Sequence, residues 1–334
     1  MTNLNIYTSE DILSHVNQRP GEQKFGEAVQ IFSTWEVLKK SPAKYVLFGI
    51  PEDIGVRANF GNAGTSEAWR VALGALCNVQ NNELTRAENI TILGEIDCNT
   101  QMRQASNIDE NDPHFAEKLG ELVTQIDHKV TEVVTSIVAA GKTPIIIGGG
   151  HNNSFGNIKG VSQALKKAIN CINFDAHTDF RALEHRHSGN GFSYAFEEGF
   201  LNKYFIFGLH RNYTSQAVFN LLRKKSDRIK FNLFEEISVQ ESLTFSEAIK
   251  QAETHCCDSD FGLELDMDAI QSMGSSAVTP SGFSFNKARK FISHFAALQN
   301  CSYIHICEGA PKLGGLPNQV SKAIAYLVSD VISK

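Results

Sequence analysis

Eight short apolar segments constrain the fold of this chain more than any other feature of its sequence. Longer stretches lie between them, and many of these show the spacing of apolar residues that is typical of helices. Most of the eight are uninterrupted apolar runs, as expected for parallel strands covered by helices on both faces. The sequence therefore predicts an α/β fold, a three-layer α/β/α domain with a mostly parallel eight-stranded sheet. The segments are residues 44–50, 90–96, 144–147, 169–174, 204–209, 229–233, 261–265 and 303–307.

Three helices are indicated most clearly. The first follows Pro113, carries apolar residues at intervals of three or four, and ends near Gly141. The other two cover residues 286–298 and 319–332. No internal repeat or Pro/Gly-rich linker interrupts the sequence. We therefore expect one domain over residues 41–334, preceded by an N-terminal extension (residues 1–40) that packs on the domain or is partly flexible.

Composition excludes several classes of function. A hydrophobic content of 42% is enough for a sizeable core, and a net charge of −6 argues against nucleic acid as the main partner. The first fourteen residues lack the order of a signal peptide, and no apolar run approaches the ~20 residues that span a membrane. The seven cysteines include no CxxC pair. They are typical of reduced core thiols, and we expect a cytoplasmic protein.

Carboxylates and imidazoles follow three of the predicted strands. Because the carboxyl ends of parallel strands meet at one edge of a sheet, we expect these side chains to converge. Their combined negative charge is too large for one Zn²⁺ but suits two divalent ions that share carboxylates. Oxygen and nitrogen ligands without thiolate favour Mn²⁺, with other divalent first-row ions possible. The six side chains are His151, Asp175, His177, Asp179, Asp266 and Asp268.

A run of three glycines precedes the first of these histidines. A glycine-rich turn after a strand can cradle phosphate, but neither GxxxxGK[ST] nor GxGxxG is present, so nucleotide binding is disfavoured. The glycines instead allow a tight turn that aims His151 over the sheet edge. A lone histidine here would more simply be a core residue bonded to the backbone, and the neighbouring motifs argue against that interpretation.

The motifs Gly-Gly-Gly-His, Asp-Ala-His-Thr-Asp and Asp-Met-Asp, in this order, resemble those of the ureohydrolase family. That family comprises arginase, agmatinase, formimidoylglutamase and their relatives. The resemblance runs from about Gly49 to the C-terminus, and residues 55–57 and 61–64 are similar to the family's early substrate-side loop. It implies an arginase-like catalytic domain, a dimanganese site and a homo-oligomeric assembly.

The resemblance also implies roles for individual residues. One ion would be held by His151 and Asp179 and the other by His177 and Asp268, with Asp175 and Asp266 bridging the two. A water activated between the ions would attack the carbon of an amidinium or guanidinium group. Asp179 would then pass a proton to the departing amine. Glu308 lies in a segment similar to the family's Glu-x-x-Pro and would accept paired N–H bonds from the planar cation.

Arg181 indicates which substrate would be used. The resemblance places it where formimidoylglutamases typically have arginine and arginases have asparagine. A guanidinium can pair with a carboxylate, and formimidoylglutamate carries two. Ser188 and Asn190 belong to a segment similar to the one that contacts the polar tail of the substrate. We therefore predict hydrolysis of N-formimidoyl-L-glutamate to L-glutamate and formamide, a step of histidine metabolism.

Two alternatives stay open at this point. The protein could act on another small amidine or guanidine carboxylate, or it could be a metal-bound member without activity that serves as an interaction protein. The sequence also departs from the family pattern. Phe192 stands where arginases have a proton-shuttling histidine. His187 is then the candidate catalytic imidazole, and His185 is the second choice. Asp268 is followed by Ala-Ile-Gln rather than the usual Asp-Pro, so its surroundings differ.

Overall fold

The computed structural model of the protein describes residues 3–333, and within them ten strands and fourteen α-helices. The strands are β1 (Leu4–Ile6), β2 (Gln30–Ile31), β3 (Tyr45–Gly49), β4 (Ile90–Ile96), β5 (Thr143–Ile147), β6 (Ile169–Phe174), β7 (Leu201–Leu209), β8 (Ile229–Leu233), β9 (Phe261–Asp266) and β10 (Cys301–Cys307). The helices are α1 (Ser9–Leu13), α2 (Phe25–Ala28), α3 (Trp35–Lys40), α4 (Ile54–Ala58), α5 (Ala68–Cys77), α6 (Asn99–Ser106), α7 (Phe115–Ala139), α8 (Ser154–Leu165), α9 (Gly191–Glu197), α10 (Gln216–Lys224), α11 (Phe234–Ser238), α12 (Phe245–Cys256), α13 (Phe285–Ala296) and α14 (Gln319–Ile332).

The strands form one sheet in the order β1-β4-β3-β5-β10-β9-β6-β7-β8, and β2 also pairs with β4. All neighbours are parallel except β1, which runs antiparallel to β4. The predicted α/β fold and its eight parallel strands are confirmed. Strands β1 and β2 were not predicted, because segments of three and two residues are too short to show an apolar run.

The sheet is buried on both faces, which explains why its strands lack an alternating pattern. One apolar layer packs the sheet against α5, α12, α13 and α14 and includes Trp69 and Phe291. The other packs it against α7, α8 and α9 and includes Ile126 and Ile158. The result is the predicted three-layer arrangement.

Residues before β3 pack against the edge of the sheet. Strand β1 pairs with the end of β4, and the Tyr7 hydroxyl donates to Glu95 Oε2 at 2.6 Å. Trp69 Nε1 in turn donates to the Tyr7 hydroxyl at 3.1 Å. All seven cysteines are free thiols, and six of them are buried. Over residues 3–333, no helix combines the length and the apolar character that crossing a membrane requires.

Strand order decides where the polar motifs meet. Strands β5, β10, β9 and β6 are consecutive at the centre of the sheet, although they are far apart in sequence. Each is parallel to its neighbours, so their carboxyl ends form one short stretch of a single sheet edge. The segments that begin at His151, Asp175, Asp266 and Glu308 leave the sheet from this stretch.

Candidate metal centre

The turn after β5 places His151 by means of unusual backbone conformations. Gly148 and Gly149 have φ of +86° and +72°, a region that side chains disfavour. A Cβ on Gly149 would also lie 2.8 Å from Glu52 Oε1, so a larger residue does not fit there. The turn ends with the His151 N–H donating to Glu308 Oε1 at 2.6 Å, which joins the ends of β5 and β10.

The His151 ring is fully buried, and its Nδ1 faces three carboxylates. Nδ1 lies 2.8 Å from Asp179 Oδ2, 3.1 Å from Asp266 Oδ2 and 3.4 Å from Asp175 Oδ2. One ligand atom from each of these four residues lies within 4.8 Å of the others. This group has the size and the donor types of a site for a divalent ion.

A second group forms around His177, which is partly exposed. Its Nδ1 lies 3.5 Å from Asp175 Oδ1 and 3.9 Å from Asp268 Oδ2. Donor atoms of His177, Asp266 and Asp268 also lie within 4.8 Å of one another. Asp175 therefore turns one oxygen to each imidazole, and Asp266 belongs to both groups. Both aspartates lie between the two histidines, as a bridging ligand would.

Backbone N–H groups hold the carboxylates in place. Asp175 Oδ1 accepts from the N–H of His177 at 2.7 Å, and Asp266 Oδ1 accepts from the N–H of Asp268 at 2.6 Å. Asp268 Oδ1 accepts from the N–H of Ala277 at 3.0 Å. The first two bonds each span two residues, so one ligand fixes the backbone of the next ligand along the chain.

Only two imidazoles accompany the four carboxylates of the cluster. Burial, together with the charge of Asp268, raises the pKa of Asp266 well above its usual value. Burial also raises the pKa of Asp179, and the negative charge of Asp175 adds to this effect. Crowded buried carboxylates are stable only with a compensating cation. Four carboxylates and two imidazoles arranged around two shared aspartates fit a pair of divalent ions.

Glu308 lies beside the cluster with one oxygen unused. It is almost fully buried and has φ of +60°, a conformation that is rare for glutamate. Oε1 accepts the His151 N–H, whereas Oε2 has no hydrogen-bond partner among the described residues. Burial, reinforced by the charge of Asp268, raises the pKa of Glu308 to about 8. A planar cation beside this oxygen would offset the burial and favour the ionised carboxylate, with which it could pair.

A cavity of about 410 Å³ opens over the cluster. Among its lining residues are most of the predicted site residues, namely His177, Asp179, Arg181, Ser188, Asp266, Asp268 and Glu308. The structure thus brings the proposed metal ligands, the unpaired glutamate and the arginine to one space. The other two proposed ligands, His151 and Asp175, lie beneath it in the protein interior.

Arg181 lies at the exposed side of this cavity. Its guanidinium donates to Asn59 Oδ1 and, at 3.1 Å, to Glu184 Oε1. Asn59 also donates to Ser188 Oγ at 3.1 Å, so one amide connects both predicted substrate contacts. Sequence reasoning missed Asn59, although it lies between the two segments that resemble the family's early substrate-side loop.

His187 and Asn190 are not brought to the cavity. The Nδ1 of His187 accepts from the N–H of Gly189 at 3.0 Å, and its Nε2 lies 3.0 Å from Glu184 Oε1. The Asn190 Oδ1 accepts from Arg186 and from the N–H of His187. Both side chains are buried. Their hydrogen bonds favour a role in shaping the loop after β6, rather than contact with a substrate.

Two aromatic residues surround the histidines of the cluster. Phe192 packs edge-on against His151, with ring centroids 5.2 Å apart, and is fully buried. Tyr213 lies over the His177 ring at a centroid distance of 5.0 Å and lines the cavity. Sequence reasoning missed Tyr213, because nothing near it in sequence suggests its contact with a residue thirty-six positions earlier.

A three-layer α/β/α domain with a buried cluster of aspartates and histidines at the carboxyl edge of its sheet defines a metallohydrolase with a candidate binuclear centre. The model of the arginase family matches residues 43–333 of the chain. The protein therefore belongs to the arginase family, the ureohydrolases.

The most similar named relatives include formimidoylglutamases. The protein of Geobacillus kaustophilus is 26% identical over 291 residues, which is 85% of this chain and 82% of the relative. That of Corynebacterium efficiens is 25% identical over 208 residues, or 61% of this chain. The latter alignment spans only 64% of the relative's length.

Solved structures show the same fold. The crystal structure of formimidoylglutamase from Bacillus subtilis matches with a TM-score of 0.77 and 20% identity, covering 95% of this chain and 93% of that one. A crystal structure of Trypanosoma cruzi formiminoglutamase with two Mn²⁺ matches with a TM-score of 0.72 and 19% identity, covering 93% and 97%.

Proposed function

We propose that this protein is a binuclear manganese hydrolase that converts N-formimidoyl-L-glutamate to L-glutamate and formamide. The observation that carries the proposal is that one cavity is lined by both the unpaired carboxylate of Glu308 and the guanidinium of Arg181. The substrate is complementary, since it carries an amidinium group on its α-nitrogen and a side-chain carboxylate at the far end of the molecule. The names of the relatives in the two preceding comparisons support the same choice.

Separate residues of the chain would have separate roles in this reaction. Two divalent ions held by the six clustered side chains would supply an activated water and Lewis-acid stabilisation of charge. Glu308, whose Oε1 is fixed by the His151 N–H, would orient the planar amidinium with its free oxygen. Asp179, which lines the cavity with φ of +43°, would carry a proton to the departing nitrogen.

Arg181 would select the acid end of the substrate. It is held by Asn59 and Glu184, and its side chain is half exposed, so a substrate carboxylate could replace the Glu184 contact at little cost. Arginine would bring its α-ammonium toward this guanidinium, and agmatine has no carboxylate to offer. Both are therefore disfavoured as substrates.

A substrate panel tests the proposal. Metal-free protein would be supplied with Mn²⁺ and offered formimidoylglutamate, 4-guanidinobutyrate, L-arginine and agmatine, with formamide and urea measured separately. We expect formamide release with kcat/KM at least about 100-fold above that of agmatine, which has no carboxylate, and of L-arginine, whose α-ammonium would meet Arg181. 4-Guanidinobutyrate keeps a carboxylate and is the stricter comparison. Faster urea release from the guanidino acid would replace the proposed substrate. Turnover of none would support a non-catalytic member of the family.

Replacing Asn59 with alanine is expected to raise KM for formimidoylglutamate about 3- to 10-fold and leave manganese content unchanged. The variant loses the acceptor of the Arg181 guanidinium and the donor to Ser188 Oγ. The first of these bonds involves a charged group and is typically worth about 1.5 kcal/mol, or somewhat less at an exposed site. Initial-rate kinetics and metal analysis would measure both effects. Asn62→Ala is a matched control, since Asn62 lies on the same loop and donates to the Ser276 carbonyl instead. An equal rise in KM in both variants would point to the mobility of the loop.

A further inference from the structure

The second ring nitrogen of His151 is directed away from the proposed metal ligands. Nδ1 faces the aspartates, so Nε2 lies in the protein interior, where it is buried and has no hydrogen-bond partner within residues 3–333. Glu264 Oε2 is 3.5 Å from it. A neutral imidazole that binds a metal through Nδ1 must carry its proton on Nε2. The state of that nitrogen therefore decides whether His151 can act as a ligand.

Glu264 lies where it can receive this proton. It precedes Asp266 by two residues on β9, so both side chains leave the strand on the same face. Its register partner on the adjacent strand β10 is His305, and both are fully buried. Glu264 accepts from the Tyr303 hydroxyl at 2.7 Å, and its other oxygen lies 2.6 Å from His305 Nδ1.

His305 holds this carboxyl group in place. Its Nε2 lies 3.2 Å from the Gly148 carbonyl oxygen and its Nδ1 lies 2.6 Å from Glu264 Oε2, so both ring nitrogens face hydrogen-bond acceptors. The Tyr303 hydroxyl and the His305 ring together fix Glu264 directly beneath His151.

We propose that Glu264 is a positioning residue, which accepts the Nε2–H of His151 and so keeps Nδ1 unprotonated and aimed at the metal, while the His305 ring holds Glu264 in place. The inference rests on the metal centre of the proposed function. A carboxylate behind a ligating histidine fixes the tautomer and the ring orientation and makes the imidazole a better donor. The expected consequence is tighter binding of the one ion that His151 would hold.

Two paired variants test this role without leaving a buried charge unpaired. The first combines Glu264→Leu with His305→Gln and leaves the His151 Nε2–H without an acceptor. We expect one of two Mn²⁺ sites to weaken about 10- to 100-fold in a titration followed by electron paramagnetic resonance. The second combines Glu264→Gln with His305→Gln. Its amide oxygen can accept the same proton, so most of the affinity should return.

Tyr303→Phe is the matched control, since it removes another hydrogen bond to the same carboxylate but leaves the oxygen that faces His151. Its affinity for both ions should stay close to that of the unaltered protein. Two sites of unchanged affinity in the leucine variant would overturn the proposal. If that variant does not fold, the proposal can be tested with ring ¹⁵N spectra of the unaltered protein loaded with diamagnetic Zn²⁺. A His151 Nε2–H proton resonance shifted strongly downfield, as for an N–H bonded to a carboxylate, supports the role, and an unshifted resonance overturns it.

The titration measures metal binding rather than turnover, so it tests the role of Glu264 separately from the proposed substrate. Unaltered protein that binds two Mn²⁺ but does not hydrolyse formimidoylglutamate would refute the proposed substrate, and the comparison of variants would still measure the role of Glu264. Unaltered protein that binds no Mn²⁺ would refute both proposals.

Discussion

Replacing Asp266 with alanine is expected to strip manganese from the protein and abolish hydrolysis in the same variant. Asp266 is the residue that both ligand groups share, so its loss removes a donor from each. The affinity for Mn²⁺ should fall by more than about 100-fold, because the loss of a residue that only hydrogen-bonds to a ligand already lowers metal affinity by 10- to 100-fold. Metal analysis after dialysis and a turnover assay would measure the two losses.

Thermal unfolding separates this effect from a general loss of structure. Bound ions stabilise the unaltered protein by mass action, so added Mn²⁺ should raise its Tm and leave that of Asp266→Ala unchanged. Asp260→Ala is the control, since Asp260 lies at the opposite end of β9 and pairs with Lys167 at the surface. It should keep both metal and activity. Full turnover in Asp266→Ala would contradict the shared role of Asp266.

Replacing Arg181 with alanine is expected to raise KM for formimidoylglutamate about 10- to 100-fold, with manganese content and metal affinity unchanged. A charge-assisted pair with a carboxylate is worth about 1.5–3 kcal/mol, and the partly exposed position of Arg181 favours the lower part of that range. Compounds without a carboxylate should be affected little. Steady-state kinetics on both kinds of compound would measure the difference.

Glu184→Gln provides the comparison for Arg181. The substitution removes the carboxylate that pairs with the Arg181 guanidinium at 3.1 Å. The guanidinium is then free for the substrate, so KM should stay the same or fall. A rise in KM in both variants would indicate that the loop between them, rather than the guanidinium, controls affinity. Parallel loss of manganese and activity in Arg181→Ala would exclude a direct role in substrate binding.

The sequence was sufficient to predict the sheet because most of its strands are covered on both faces and therefore appear as apolar runs. All eight predicted strands begin and end within three residues of the observed bounds. The largest error is at the start of β7, where Asn202 and Lys203 interrupt the apolar pattern. The pairing of β1 with β4 depends on contacts about ninety residues apart, which no local pattern encodes.

The sequence was less informative about the candidate site beyond its proposed metal ligands. Five of the six proposed ligands were predicted because they follow strands at regular two-residue spacing, and His151 was predicted from the run of glycines before it. Asn59 was missed because its contact with Arg181 joins residues 122 positions apart. His187 and Asn190 were assigned from their place in a motif, whereas their orientation depends on hydrogen bonds within the loop.

Glu264 offered a weak signal that could have been used. It extends the Asp-x-Asp pattern of β9 backward by one period, so its face was predictable from strand geometry. Its partner, His305, was not predictable, because the two residues meet only through the pairing of β9 with β10. A glutamate in the middle of an apolar strand is rare enough to indicate a buried partner.

The strand order of this sheet also determines when the metal centre can form during synthesis of the protein. The clustered side chains span residues 151 to 268, and His151 is bonded to Glu308, 157 positions later. Strand β10 lies between β5 and β9, so the central sheet stays open until that strand has left the ribosome. A nascent chain thus exposes its aspartates before their geometry exists. The geometry of the proposed ligands is therefore complete only in the finished polypeptide, and any ions would be bound after β10 has joined the sheet.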